Sequence, residues 1–448
     1  MRLVVRGERV VLPGGIRPGS IHIRDGRIVD VEEYGTAPAG IPIVDAGGLT
    51  VLPGLVDTHV HVNEPGRTDW EGFAHATRAA AAGGVTTIVD MPLNSIPSTT
   101  SAAAFEAKLR TAAGQCHVDV GFWGGVVPGN TAALEPLAAA GVLGFKCFLS
   151  PSGVDEFEHV SPQDLRAALP VLARLRLPLL AHAELPELLR DPDPQADPRC
   201  YQTWLDSRPP ASELAAIELL IGLSRETGAA VHVVHLAAAD ALPAIRAARA
   251  AGLPLSVETC PHYLTFAAED IPDGATAHKC APPIRPRAHR ERLWTALVDH
   301  DIDLVATDHS PAPPALKRLA DGDFIRAWGG IASLQIGLAA VWTGAAARGI
   351  PLHLVANWMA EAPAALAGLD GRKGSIAVGR DADFVFWDPD AVVTIDPPAL
   401  HHRHPITPYA GLELRGRVLR TFLRGQLVFD GGSVTDTARG RPLLCAKT

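Results

Sequence analysis

Cysteine, long apolar runs and excess positive charge are all scarce in this sequence. Only six cysteines occur in 448 residues, at positions 116, 147, 200, 260, 280 and 445, and none forms a CxxC pair. In a chain of this size that spacing argues against a disulfide framework and for thiols kept in a reducing compartment. No apolar run approaches the roughly 20 residues of a spanning helix, which argues against a membrane segment. Acidic groups outnumber basic ones, 49 to 40, for a net charge of −9. Neither nucleic acid nor an anionic membrane is therefore expected as a partner. The first residues, Met1-Arg-Leu-Val-Val-Arg-Gly-Glu8, interrupt their apolar character with charge and lack a signal-peptide core. A cytoplasmic chain is the expectation.

What is present is a globular composition, 47% hydrophobic and 20% charged. Strand-like runs fall at 55–62, 85–91, 118–127, 143–149, 177–183, 230–236, 254–260 and 303–309. Helical stretches such as 211–227 and 239–251 separate them. This alternation predicts an α/β chain built on a (β/α)8 TIM-like barrel over 51–370. A doubly wound open sheet is the alternative, but no Gly-rich nucleotide turn follows the first run. The segments 1–50 and 371–448 read instead as short strands with tight turns, and the two chain ends are expected to share one smaller β-rich domain. Within it Asp25-Gly26 supplies the positive φ angles of a type I′ hairpin turn. The long loop 311–330 follows the eighth run and carries three prolines. Long loops in compact domains are usually functional, so this one is a candidate wall of a substrate pocket.

Barrel active sites lie at the C-terminal strand ends, and chemistry-bearing residues gather at those ends here. His59 and His61 are two apart, so a strand points both imidazoles to one face, as chelation of one cation requires. Asp57 shares that face as an orienting group or more distant ligand. Lys146 sits between Phe145 and Phe148. Either it extends out to water, or burial lowers its pKa and leaves a nucleophilic amine able to add CO2. His182 and His235 end the fifth and sixth runs. His232 and His235 are three apart and must face opposite ways, which leaves His232 a structural role. His262 ends the seventh run and is a further supporting candidate. Asp308 ends the eighth, where a carboxylate can bind metal and take a proton from water, or simply cap a helix. Ser310 shares its face.

These stretches resemble the cyclic amidohydrolases of the urease-related superfamily, most of all their bacterial allantoinase branch. The likeness spans essentially the whole chain. It is carried by Asp57-Thr-His-Val-His-Val-Asn-Glu-Pro-Gly-Arg67, Asp90-Met-Pro-Leu-Asn94, Gly144-Phe-Lys-Cys-Phe148, Cys260-Pro-His-Tyr263, Pro282-Pro-Ile-Arg285, Asp308-His-Ser-Pro311 and Ala327-Trp-Gly-Gly-Ile331. The resemblance implies a barrel with a β-sandwich flank, a homotetramer and two divalent cations per subunit, zinc first, with iron, cobalt, nickel or manganese also suited. It implies His59, His61 and Asp308 on one ion, His182 and His235 on the other, and Lys146, as its N6-carboxylated carbamate, bridging both. Ala281 and Gly330 would offer backbone contacts to substrate. Ala281, Ala312 and Ala315 depart from the serine, cysteine and glutamate common in the family.

Position 63 separates the relatives. Dihydroorotase-like enzymes carry arginine there for a substrate carboxylate, whereas Asn63 cannot make that charge-assisted fork. A neutral ring is expected, and allantoin, a hydantoin with a ureido arm, is such a ring. The reaction implied is hydrolytic opening of allantoin to allantoate by a metal-activated hydroxide, with Asp308 moving the proton. A hydantoinase or dihydropyrimidinase is the nearest alternative, and a non-catalytic scaffold of the same fold a remote one.

Overall fold

In the computed structural model, which describes residues 2–445, eight parallel strands form a closed barrel. They are Leu55–Val60, Val85–Asp90, Asp119–Phe122 continued by Gly124–Gly125, Phe145–Phe148, Leu179–His182, Val231–Val233, Leu255–Thr259 and Leu304–Val305. The ring closes where His309 bridges Val60 in parallel register. The His61 N–H donates to His309 O at 2.8 Å and the His309 N–H to His59 O at 3.2 Å. Such strands are covered on both faces and read as continuous apolar runs, which is why all eight were visible in the sequence.

The surrounding helices start and stop where local chemistry dictates. Ala102–Ala112 begins at Ser101, whose side chain accepts from the Ala104 N–H. Pro162–Leu175 opens on a capping box between Ser161 and Asp164. Pro210–Thr227 ends at Gly228, whose φ of 72° provides the left-handed stop.

The two chain ends do meet. Thr50–Pro53 pairs antiparallel with Phe384–Thr394, joining the N-terminal strands Arg2–Leu12, Gly15–Arg24, Arg27–Glu32 and Ile43–Asp45 to the C-terminal strands Glu413–Leu423, Gln426–Asp430 and Ser433–Val434. Val5, Val10, Ile21, Ile23, Phe384, Phe386 and Phe422 from both halves share one apolar core. The hairpin at Asp25-Gly26 has φ values of 50° and 81°, as its turn type requires.

Candidate metal centre

The structure brings His59, His61, Lys146, His182, His235 and Asp308 to the wall or floor of one barrel, and all six are buried. Asp308 Oδ1 lies 3.2 Å from His59 Nε2 and 3.4 Å from His61 Nε2. These three residues could hold a metal ion between them. His182 Nδ1 and His235 Nε2 approach to 3.0 Å on the other side, and the His59 and His235 rings stand 5.5 Å apart. His235 and Asp308 both adopt positive φ, 43° and 45°. Held strain of that kind is uncommon in non-glycine residues and gathers at functional sites.

Carboxylates behind the histidines set their ring orientation. His59 Nδ1 lies 2.5 Å from Glu258 Oε1, and Glu258 Oε2 holds His232 Nε2 at 3.0 Å. Burial works to raise the Glu258 carboxyl, but His59 and His232 outweigh it and hold it down at about 2. His182 Nε2 meets Glu184 Oε2 at 2.7 Å, and Arg208 grips both oxygens of Glu184 at 3.0 and 2.6 Å. With those nitrogens carrying the protons, His59 Nε2 and His182 Nδ1 keep lone pairs for a cation. Burial lowers the His61, His182 and His235 pKa values, so they stand as neutral donors. Asp308 is held well below its ordinary value despite burial, by His59, His61 and His235.

Lys146 supplies the most telling fact. Its Nζ is fully buried without a hydrogen-bond partner, 5.0 Å from the Phe148 ring centroid. Burial lowers its pKa to about 8. A lone ammonium here would be costly. Loss of the proton would relieve that cost. Neutral imidazoles, an ionised aspartate and an uncommitted amine together fit a site that can hold metal.

Asp57 is an orienting group. It accepts from the His59 N–H at 3.1 Å and the Thr307 hydroxyl at 2.6 Å, tying the first strand to the eighth. His232 takes the structural role expected, with Ser256 and Glu258 as partners. His262 is buried with neither ring nitrogen bonded. Ala281, Ser310 and Gly330 line the cavity above the histidines, a space of about 250 Å³. Asn63 does not. It sits buried at φ 66°, its amide without a partner, and Asn94 occupies the cavity wall instead, 3.4 Å from His61 Nδ1. Further wall residues are Trp204, Arg208, Lys279 and Trp328. Glu184 and Glu258 were missed in the sequence, although two signals marked them. Glu184 shares the strand parity of His182, and Glu258 is a charge inside an apolar run.

This is the architecture of a metal-dependent hydrolase. The model of the amidohydrolase family matches residues 50–428, and the chain belongs to that family, which acts on C–N bonds with the help of metal. An allantoinase from Streptomyces avermitilis is 49% identical, covering 99% of this chain and 98% of its own. The allantoinase of Saccharomyces cerevisiae is 44% identical over 98% of both chains. Among solved structures, an L-hydantoinase (dihydropyrimidinase) from Arthrobacter aurescens superposes with a TM-score of 0.92 at 28% identity, covering 99% of each chain.

Proposed function

We propose that the protein is an allantoinase, opening the hydantoin ring of allantoin by hydrolysis to allantoate. Near-full-length identity of 49% to an allantoinase carries the reading. In the proposed site His59, His61 and Asp308 would hold one cation and His182 and His235 the other. Lys146, whose amine can add CO2 with loss of a proton, would supply an anionic carbamate as a further ligand. Zinc suits this imidazole and oxygen set, as do iron, cobalt, nickel and manganese. Bound divalent ions of this kind polarise a carbonyl and bring a water's pKa near neutrality.

The remaining steps belong to the chain. Asp308, ionised, accepts the proton of the attacking water as the new C–O bond forms. It then delivers that proton to the ring nitrogen as the C–N bond breaks. The Ser310 hydroxyl, 2.8 Å from Asp308 O and 3.3 Å from its Oδ1, steadies that carboxylate. Backbone groups of Ala281 and Gly330 and the side chain of Asn94 are the proposed ring contacts; Asn63 acts indirectly, from behind the wall.

Steady-state assays on allantoin, hydantoin and dihydrouracil test the reading. Allantoin is expected to have the highest kcat/KM. A preference for dihydrouracil would favour the hydantoinase-type alternative, which rests on the close superposition with the Arthrobacter enzyme. A non-catalytic scaffold is disfavoured because every expected ligand position is filled and buried. Among the described residues no helix is long and apolar enough to cross a membrane. We assign the chain to the cytoplasm, from six scattered cysteines without a CxxC pair, and to a homotetramer, to be checked by light scattering.

A further inference from the structure

The loop that follows the eighth strand runs from the centre of the site to its rim. Gly330 lies against Ser310, so closely that an added Cβ would stand 2.2 Å from Ser310 O. Trp328 packs edge-on against Trp70 at the mouth, 5.0 Å between ring centroids. Apart from the short helix Pro314–Lys317, the stretch 311–330 has no regular structure to stiffen it. Its Gly329-Gly330 pair brings no side chains of its own.

Two buried lysines do what secondary structure does not. Lys279 Nζ donates to Ile325 O at 3.0 Å and to Ala327 O at 2.6 Å, and faces the Trp204 ring at 4.2 Å. Lys317 Nζ donates to Trp328 O at 3.3 Å and, in a shorter contact, to Gly330 O. The backbone answers in kind: the Gly330 N–H donates to Lys279 O and the Trp328 N–H to Leu316 O, both at 2.8 Å. Lys279 and Lys317 are 5% and 3% exposed. Among the described residues neither has a carboxylate within ion-pair distance. Burial lowers their pKa values to about 7 and about 8. Keeping two unpaired cations buried is unfavourable for stability alone, where apolar side chains would serve as well or better. Four carbonyls between 325 and 330 are thereby committed to the lysines, while the intervening Gly329, a cavity-lining residue, has an N–H with no partner among the described residues.

We propose that Lys279 and Lys317 are positioning residues that clamp the 325–330 loop so that its free Gly329 N–H meets the part of the substrate beyond the hydrolysed ring. That inference rests on the allantoin reading. The part concerned is the ureido arm, whose carbonyl is a hydrogen-bond acceptor, and the clamp sets preference for arm-bearing hydantoins over the bare ring.

The test compares Lys279→Met, Lys317→Met and the corresponding arginine variants with the wild type, each metal-loaded and checked for melting temperature and metal content. With allantoin, each methionine variant should lose about tenfold in kcat/KM, mostly through KM; with hydantoin the loss should stay within about threefold. Arginine, which keeps the donors, should restore part of the allantoin preference. A parallel loss on both substrates, or an unchanged KM for allantoin, overturns the clamp. Should Lys317→Met fail to fold, Lys279→Met decides the question. A wild type that opens hydantoin but not allantoin overturns the substrate reading instead. The clamp is then judged on a 5-substituted hydantoin with a carbonyl in its side arm, whose KM must rise in the methionine variants while that of bare hydantoin stays within about threefold.

Discussion

Lys373 Nζ reaches Asp119 Oδ2 at 2.7 Å, across 254 positions of sequence. The contact joins the third barrel strand to the segment that leads into the chain-end sheet. Asp383 at 2.6 Å and Asp381 at 3.0 Å complete the cage around the same ammonium, and Arg424 also contacts Asp119. With the amine inside, these three aspartates are a buried ion-pair cluster and not a second cation site.

Removing the amine strands several buried carboxylates. Lys373→Met should destabilise the protein by about 3–5 kcal/mol, with the specific activity of folded protein unchanged. Thermal melting of the two proteins measures the loss.

The same cluster sets a pH response. Burial works against the Lys373 ammonium, but Asp383, Asp119 and Asp381 overcome it and raise its pKa above the ordinary 10.5. Its contribution is complete below that value and is lost as pH rises toward the folded-state pKa. Asp381, held below its ordinary 3.8 by Lys373 and Arg372 against burial, contributes above 3.8 and loses that contribution as pH falls through its folded value. The melting gap between wild type and Lys373→Met should therefore be constant near neutrality and narrow above about pH 10.5. A gap that stays constant to the alkaline limit would refute the assignment.

Lys146→Ala should abolish measurable ring opening while leaving the fold intact, because it deletes the group proposed to join the two cations. Elemental analysis should show less metal in this variant, and native mass spectrometry of the wild type should show one added CO2. Treating the wild type with a chelator should likewise remove activity, and a divalent metal with bicarbonate should return it. Full activity in a metal-free preparation would contradict the proposed chemistry.

Glu258→Gln should weaken metal retention by about 10–100-fold. The amide cannot hold both His59 and His232 in the tautomers that a carboxylate enforces. Competitive chelation titrations measure the change, and Glu184→Gln should act similarly through His182. Unchanged affinity in both variants would show that the ring orientations are fixed by packing alone.

Much of this molecule was legible beforehand, for identifiable reasons. The barrel strands announced themselves as apolar runs, and the structural role expected of His232 agrees with its bonds to Ser256 and Glu258. His235, however, stands beyond the strand at positive φ, where alternation no longer governs. The Asp25-Gly26 turn was fixed by local chemistry alone. Asn63 was harder to read, because its left-handed backbone breaks the alternation that would have aimed it inward. Glu258 and Lys279 take partners from residues far along the chain, Lys317 takes its own from an irregular loop 11 and 13 positions on, and no local pattern encodes such meetings. The chain-end lysine cluster stayed hidden for the same reason.

The closing bridge between Val60 and His309 has a temporal consequence. His59 and His61 emerge early in synthesis, whereas Asp308 arrives some 250 positions later, the same interval that separates Asp57 from Thr307. A cation shared by these residues would straddle the seam of the cylinder like a clasp. The nascent chain would offer only half a coordination shell until its last staves were in place, so tight metal capture would report that the cylinder had been completed.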